Sequence, residues 1–212
     1  MKRIFFVIVA GVLASAPASA ASLPISVLSN CAQPTARTSL DDQIRACTLI
    51  IETPGSDAEY MLAAHLARAL AYEEKGDFDK AIVDYTAALA LQPNDDFYLA
   101  RAECYQKKGD FERALADINA LIQAKPNYAP AYSTRGKVYA AKKDFPRALA
   151  DCTRATELAP QDASTWTLRA RLYGQMGDED RALSDLSRAI ALEPDNTDLR
   201  HYRGLKIGRA HV

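Results

Sequence analysis

Four prolines, each closing a run rich in small residues, recur along this chain at almost equal intervals. Pro93, Pro126, Pro160 and Pro194 stand 33, 34 and 34 residues apart. Each is preceded at matching distances by an arginine followed by alanine or glycine, a tyrosine, a two-residue turn ending in aspartate, and an alanine. The four copies are Arg68-Ala69, Tyr72, Gly76-Asp77 and Ala81; Arg101-Ala102, Tyr105, Gly109-Asp110 and Ala114; Arg135-Gly136, Tyr139, Lys143-Asp144 and Ala148; and Arg169-Ala170, Tyr173, Gly177-Asp178 and Ala182. A repeat of this length predicts an all-α solenoid of stacked helix pairs.

The residues at the boundaries of each unit give this period a physical basis. Glycine allows the left-handed backbone that ends a helix, the aspartate after it is able to cap the next helix, and proline prevents that helix from continuing. Small residues on both helices of a unit, such as Ala69 and Ala81, predict that the two helices approach closely. Lys143 replaces the glycine once, and a Lys-Asp pair still permits a turn.

The first 20 residues have the three-part organisation of a secretory signal peptide. Lys2-Arg3 is followed by an apolar run from Ile4 to Leu13 and then by small residues around Ala18 and Ala20. Because the run is too short to span a bilayer, we predict export with cleavage after Ala20; the alternative is an uncleaved membrane anchor. We expect no other contact with a membrane. Localisation is therefore predicted to be periplasmic or secreted.

Cleavage at this position leaves 24 basic and 27 acidic residues, a formal net charge of −3. This balance gives no electrostatic footprint for nucleic acid, so we expect no nucleic-acid partner.

Four cysteines occur, in two different settings. Cys31 and Cys47 lie 16 residues apart ahead of the repeats, where an oxidising compartment allows a disulfide, and the sequence leaves their pairing open. Cys104 and Cys152 fall on repeat positions that we expect to be buried, where cysteine acts as a small apolar side chain.

The region before the first full repeat is predicted in two parts. Residues 21–38 show no helical period and contain prolines, which predicts an extended N-terminal arm. A helix follows, with Ser39 as its cap and Asp42 as the partner in an imperfect capping box. We interpret this helix as the second half of a degenerate repeat. Ser56 and Glu59 then predict a capping box for the next helix.

The last seven residues, 206–212, break the pattern just after Arg203-Gly204. Ile207 to Val212 can be back-translated as ATC GGA AGA GCA CAC GTC, followed by the stop TGA, which resembles a sequencing adapter read in frame. We therefore expect a non-native tail on a chain that naturally continues. The alternative is a genuine basic tail.

The repeated residues, together with an aromatic near the start of each first helix, resemble the tetratricopeptide repeat. That aromatic is Tyr98, Tyr132 or Trp166, and His65 takes its place in the first unit. The resemblance implies a right-handed α-solenoid of helix-turn-helix repeats over residues 39–205. It comprises four full repeats, a degenerate N-terminal helix and a truncated fifth repeat, with approximate bounds 58–95, 96–128, 129–162, 163–196 and 197–205. The arm together with residues 42–50 is also similar to the N-terminal region of exported bacterial proteins of this family.

Arginine and aspartate recur with the period of the repeat. The arginines are Arg68, Arg101, Arg135, Arg169 and Arg203, and the aspartates are Asp84, Asp117, Asp151 and Asp185. We interpret this set, the arginine ladder, as structural pairs in which each arginine makes a bidentate contact with an aspartate of a neighbouring helix and fixes the register of adjacent repeats. The alternative is a series of anion-binding sites.

The sequence does not indicate an enzyme. His65, His201 and His211 have no histidine or cysteine at helical ligand spacing, so we expect no metal site. The sequence contains neither a Gly-rich phosphate loop nor a Gly-x-Ser-x-Gly nucleophile elbow. We therefore expect no catalytic residue and no cofactor.

The family resemblance implies a concave groove lined by the first helix of each repeat. Its side chains come one, five and eight positions after the leading aromatic, and we call them the predicted groove residues. They are Leu66, Leu70 and Glu73; Leu99, Glu103 and Gln106; Ser133, Lys137 and Ala140; and Thr167, Arg171 and Gly174. The change from leucine and glutamate to lysine and arginine favours a peptide with a basic, apolar segment followed by an acidic one. The alternative is an ordinary solvated helix face.

The function expected from these features is that of a periplasmic scaffold or adaptor that binds a protein or peptide. Two alternatives stay open at this point. The solenoid is the recognition arm of a longer envelope enzyme or assembly factor, or it is a structural protein that associates end to end through its incomplete fifth repeat.

Overall fold

The structure is a computed structural model that describes residues 23–32 and 39–201. Ten helices lie within these ranges: α1 Ile25–Ala32, α2 Leu40–Glu52, α3 Ala58–Lys75, α4 Phe78–Leu91, α5 Asp95–Lys108, α6 Phe111–Ala124, α7 Ala129–Ala141, α8 Phe145–Leu158, α9 Ala163–Met176 and α10 Glu179–Leu192. Residues 197–201 are also helical, and no strand occurs in the described part of the chain. The predicted signal peptide, the tail 206–212, and Arg203 and His211 lie outside the described residues.

The all-α prediction is confirmed, with consecutive helices packed in pairs. The helices fall into two compact units, one extending to Asp110 and one beginning at Phe111. Helices α1 to α5 belong to the first unit and α6 to α10 to the second. The division falls inside the predicted repeat 96–128, between its two helices. None of the described helices combines the length and the apolar character that a membrane crossing requires.

The turns between paired helices follow the chemistry expected from the sequence. Gly76, Gly109 and Gly177 each end a helix with φ between 77° and 81°, and Lys143 adopts φ 61° at the corresponding place. Only glycine reaches this left-handed region without steric cost, so Lys143 carries backbone strain. Aspartates then cap the following helices. The side chains of Asp77, Asp144 and Asp178 accept hydrogen bonds from the backbone N–H groups of Lys80, Arg147 and Arg181, respectively.

The start of the solenoid shows one correct and one wrong capping prediction. Ser39 caps α2 and forms a full capping box with Asp42. Ser56 caps no helix, because its hydroxyl donates to the carbonyls of Ile50 and Thr53 and so closes the end of α2 instead. Helix α3 begins after Asp57, which makes no side-chain capping bond.

The N-terminal arm predicted over residues 21–38 is wrong for its described part, because Ile25–Ala32 forms α1. Prolines are tolerated at the start of a helix, and Pro24 directly precedes this one. Helix α1 packs on α2 and α3, and a disulfide joins Cys31 to Cys47 of α2. The side-chain amide of Gln43 also donates to the Cys31 carbonyl at 3.1 Å. These contacts stabilise a short helix that has little periodicity of its own.

Helix α1 therefore supplies the first half of the degenerate repeat whose second half is α2. Its buried Leu28 and Cys31 join one hydrophobic cluster with residues of α2, α3 and α4. Helix α3 has 18 residues, one turn more than the 13 or 14 of α5, α7 and α9. Tyr60, on this additional turn, is buried in the same cluster. Its hydroxyl has no hydrogen-bond partner among the described residues.

In the second unit, small residues permit the close approach of paired helices that the sequence predicted. Gly136 of α7 faces α8, and a Cβ built on it would lie 2.9 Å from Cys152 Sγ and 3.3 Å from the Ala148 carbonyl oxygen. Both distances are shorter than an ordinary van der Waals contact. A larger residue at this position would force Cys152 or the facing backbone to shift, which favours glycine here.

Candidate functional site

Three arginines of the ladder each bind one aspartate through two parallel hydrogen bonds. Nε and Nη2 of the arginine donate to the two carboxylate oxygens over 2.7–2.9 Å, and every aspartate is buried. The pairs are Arg68 with Asp84, Arg135 with Asp151 and Arg169 with Asp185. Each pair joins the two helices of a single repeat. The predicted bidentate contact with an aspartate of a neighbouring helix is present in these three pairs, but it joins helices within one repeat and does not reach the adjacent repeat.

Contact with the preceding repeat is made by the remaining guanidinium nitrogen, Nη1. It donates to a hydroxyl or amide oxygen on the second helix of that repeat, over 2.7–3.0 Å. The pairs are Arg68 with Thr48, Arg101 with Thr86, Arg135 with Asn119 and Arg169 with Thr156. Sequence reasoning missed these acceptors because their identity and their spacing from the arginine vary. Arg101 and Asp117 lie in different units.

The leading aromatic residues stack on the same guanidinium groups. Arg101 lies 5.6 Å from the ring centre of Tyr98, Arg135 5.5 Å from that of Tyr132, and Arg169 4.9 Å from that of Trp166. Cation–π contact adds to the orientation of an arginine that is already held by hydrogen bonds. Tyr98, Tyr132 and Trp166 therefore have a structural contact within their own repeats.

His65 replaces the aromatic of the first repeat and makes a different contact. Its Nδ1 lies 2.7 Å from Asp84 Oδ1, and Asp84 also accepts two bonds from Arg68. Burial acts to raise the pKa of Asp84, but the hydrogen bonds from His65 and Arg68 outweigh it, and the pKa lies below its usual value. Asp84 is therefore ionised, and the Nδ1–H of His65 donates to it.

In the first unit, two predicted groove residues do not line a groove. Leu66 and Leu99 are both buried, and Leu66 belongs to the hydrophobic cluster that includes Leu28 and Cys31 of α1. The prediction for Leu66 did not include α1, because residues 21–38 were expected to form an extended arm. Leu70 also packs against this cluster, and Glu73 accepts a hydrogen bond from the buried Tyr85 hydroxyl. Glu103 and Gln106 are half-buried on α5.

In the second unit, three predicted groove residues meet in one cavity of about 370 Å³. They are Lys137 of α7 and Thr167 and Arg171 of α9. Ser133 and Ala140 are half-buried elsewhere on α7, and Gly174 is half-buried on α9. The cavity, called here the Lys137 cavity, is completed by residues after α10 that the sequence analysis did not single out.

The Lys137 cavity has an apolar floor and charged walls. Ala163, Leu168 and Leu199 supply apolar side chains. Lys137 and Arg171 carry positive charge on the α7 and α9 side, and Glu193 and Asp198 carry negative charge on the side formed by the segment after α10. The cavity also includes Ser164 and Asn196.

The acidic wall is held in place by Asn196. Its side-chain nitrogen donates to Glu193 at 2.9 Å, and its side-chain oxygen accepts from the backbone N–H groups of Asp198 and Leu199 at 3.2 and 3.3 Å. Asn196 thus caps the helical residues 197–201 and at the same time positions a carboxylate. Such an arrangement is suited to binding a polar ligand.

Sequence models of the tetratricopeptide repeat match residues 66–129, 99–163 and 136–204, which include all of the ladder and cavity positions. The chain belongs to the tetratricopeptide repeat family. Domains of this family act as protein-interaction scaffolds, and the fold supports that role here. No curated protein sequence matches the chain significantly.

Solved tetratricopeptide repeat structures have the same fold. TTC0263 of Thermus thermophilus is 23% identical, with TM-score 0.66 over 79% of this chain and 90% of that chain. YrrB, described as a tetratricopeptide repeat protein with an unusual peptide-binding site, is 20% identical, with TM-score 0.53 over 78% and 84%. MamA 41-end from Desulfovibrio magneticus RS-1 is 17% identical, with TM-score 0.62 over 86% and 99%. At these identities the likeness concerns the fold alone.

A second series of ion pairs runs between neighbouring repeats of this tetratricopeptide array. A lysine just before the turn of one repeat pairs with the acidic second residue of the preceding repeat's second helix. The pairs are Lys75 with Asp41, Lys108 with Asp79 and Lys142 with Glu112. These lysines and acidic residues recur at matching positions of the repeat, but the pairs were not predicted from the sequence. Met176 and Pro146 occupy the corresponding positions in the last described junction, and Met176 is 46% exposed.

The part of the chain that the structure describes contains two free thiols and no cluster of potential metal ligands. Within the described ranges, no three histidine, cysteine or acidic residues come together as a metal site. Cys104 and Cys152 are buried free thiols, and burial raises the pKa of Cys152 to about 12. A thiol with such a pKa is protonated at neutral pH and is a poor nucleophile.

Proposed function

We propose that this tetratricopeptide repeat protein is an exported scaffold of the bacterial periplasm that binds a protein or peptide through the Lys137 cavity. The observation that carries the proposal is that Lys137, Thr167 and Arg171, selected from the sequence as partner-facing positions, line one cavity. Its volume of about 370 Å³ falls in the range of ligand-binding clefts. YrrB has a peptide-binding site by its own description, and we extend to this chain only that class of ligand.

The partner is expected to contact the second unit rather than α3 of the first. Leu66 is 1% exposed and packs in the cluster that α1 shares, so it is unavailable to a ligand. The basic, apolar segment of the peptide that the sequence predicted would therefore find no exposed apolar surface at Leu66. The charged positions around Lys137 are half-buried or exposed and remain accessible.

Export is supported by two features of the N-terminal region. Residues 1–20 have the organisation of a signal peptide, and the Cys31–Cys47 disulfide suits an oxidising compartment. Fractionation of a bacterium that expresses the full chain tests this point. We expect the protein in the periplasmic fraction, with a mass corresponding to a start at Ala21. Full-length protein in the cytoplasm would disprove export.

Binding is tested by site-specific photo-crosslinking in the cell. A photoreactive residue at Ser164, in the cavity, is compared with one at Arg188, which is exposed on α10 outside it. We expect a specific adduct only from position 164. The captured partner is then purified, and its affinity is measured for wild type, K137A/R171A and R188A. Equal affinity for all three proteins would rule out the cavity as the binding site.

A further inference from the structure

The charges of the Lys137 cavity are separated by sign. Both basic side chains, Lys137 and Arg171, come from the first helices of two consecutive repeats. Both acidic side chains, Glu193 and Asp198, come from the segment after α10. A ligand that carried charge of one sign only would face like charge on one of these walls, and like-charge contacts oppose binding.

We propose that the cavity binds a peptide segment in which an aliphatic residue lies between an acidic and a basic side chain. This inference rests on the proposed function and adds the chemistry of the ligand. The acidic side chain lies toward Lys137 and Arg171, and the basic side chain lies toward Glu193 and Asp198. The aliphatic side chain covers the floor formed by Ala163, Leu168 and Leu199.

The fixed geometry of the acidic wall supports this assignment. Glu193 is bonded to Asn196, whose oxygen is in turn held by two backbone N–H groups, so its carboxylate is oriented before a ligand arrives. A preorganised charge loses little side-chain entropy on binding. The size of the cavity, about 370 Å³, accommodates one aliphatic side chain together with parts of its two neighbours.

Short capped peptides test the inference directly. Fluorescent peptides with the central sequences Glu-Leu-Lys, Lys-Leu-Glu, Glu-Leu-Glu, Lys-Leu-Lys and Gln-Leu-Gln are titrated with the full mature chain. We expect one of the two mixed-charge peptides to bind at least about tenfold more tightly than the single-sign and neutral peptides. Equal affinities across the set, or no binding of any peptide at about 1 mM, would overturn the inference.

Charge reversal of the basic wall provides the matched variant. K137E/R171E is expected to lose the preference for mixed charge and to bind the Lys-Leu-Lys peptide most tightly, because all four charged side chains are then acidic. R188E changes the net charge in the same sense, outside the cavity, and is expected to keep the wild-type preference. E193Q is a milder variant that should weaken the mixed-charge peptide by severalfold even if the double variant does not fold. A preference that survives in both K137E/R171E and E193Q would refute the assignment.

These results separate the inference from the proposed function. If the crosslinked partner depends on Lys137 and Arg171 but the peptides show no charge preference, the scaffold function stands and the ligand chemistry is wrong. If the partner is indifferent to Lys137 and Arg171, both proposals fail.

Discussion

Arg135 binds Asp151 through two parallel hydrogen bonds, from Nε to Oδ2 and from Nη2 to Oδ1, both 2.8 Å long. The third nitrogen of the same guanidinium, Nη1, donates to Asn119 at 2.8 Å. One side chain of α7 is thereby tied to α8 of its own repeat and to α6 of the preceding one. Asp151 is 6% exposed, so its carboxylate depends on this arginine for compensation of its charge.

Replacement of Arg135 by alanine should lower the free energy of unfolding by about 3 kcal/mol, because it leaves a buried carboxylate unpaired. Arg135→Lys should lower it by less, since lysine keeps the charge but loses the planar fork. Urea unfolding followed by circular dichroism measures both. R188A, on an exposed position of α10, is the control and should change little. Melting that is unaffected by R135A would contradict a structural role for the ladder.

Gly136→Ala should destabilise the protein although alanine favours helix by about 1 kcal/mol over glycine. The reason is the 2.9 Å contact that its Cβ would make with Cys152 Sγ. Removal of the sulfur in G136A/C152A should restore part of the loss, giving a coupling energy of about 1–2 kcal/mol between the two sites in thermal unfolding. Additive effects of the two substitutions would mean that the sulfur does not select glycine here.

Lys143→Gly should stabilise the protein by about 0.5–1 kcal/mol, because glycine adopts the φ of 61° without the steric cost that lysine bears. Its neighbour Ala141, the last residue of α7, offers the matched comparison. Because the backbone of Ala141 is helical, Ala141→Gly should lower the free energy of unfolding by about 0.5–1 kcal/mol. Chemical denaturation of the two variants distinguishes them, and destabilisation by both would show that the turn is not strained.

Loss of the Cys31–Cys47 bond, in C31S/C47S, should lower stability by about 3 kcal/mol, as expected for a closed loop of 16 residues. Hydrogen exchange should report the loss of protection first in α1, whose eight residues depend on this link. A reductant should reproduce the effect in wild type and add nothing to the variant. Full protection of α1 in C31S/C47S would show that packing alone holds it.

Asp84 makes stability depend on acid pH. Burial raises its pKa, the bonds from His65 and Arg68 lower it more, and the folded value lies below 3.8. Its contribution is therefore complete above the unfolded pKa and is lost as the pH falls through the folded pKa. Between about pH 5 and pH 2 the difference in unfolding free energy between wild type and D84N should shrink. A difference that stays constant with pH would exclude ionised Asp84 as the cause.

The parts of the fold that repeat were predictable from sequence, and the parts that occur once were not. Gly76, Asp77 and their counterparts mark helix ends because backbone geometry and capping act locally, and each signal is repeated along the chain. Helix α1 was missed because its stability comes from a disulfide and from burial against α3, which are non-local. Tertiary contacts of this kind override weak local preferences.

The candidate site was predictable to the same degree. Lys137, Thr167 and Arg171 were found through the groove positions that the family resemblance implies, counted from the leading aromatic of each repeat. Glu193, Asn196 and Asp198 were missed because they lie around a loop and a helix start, where no periodicity places them opposite α9. Leu66 was misassigned because it is buried in the hydrophobic cluster that α1 joins, and that helix was not predicted.

The sulfur link between α1 and α2 has a consequence for the order in which the chain matures. In a reducing compartment the two thiols stay apart, and the eight residues of α1 have only weak reasons to remain helical. The link between α1 and α2 therefore forms only where an oxidant is present, although this segment is synthesised first.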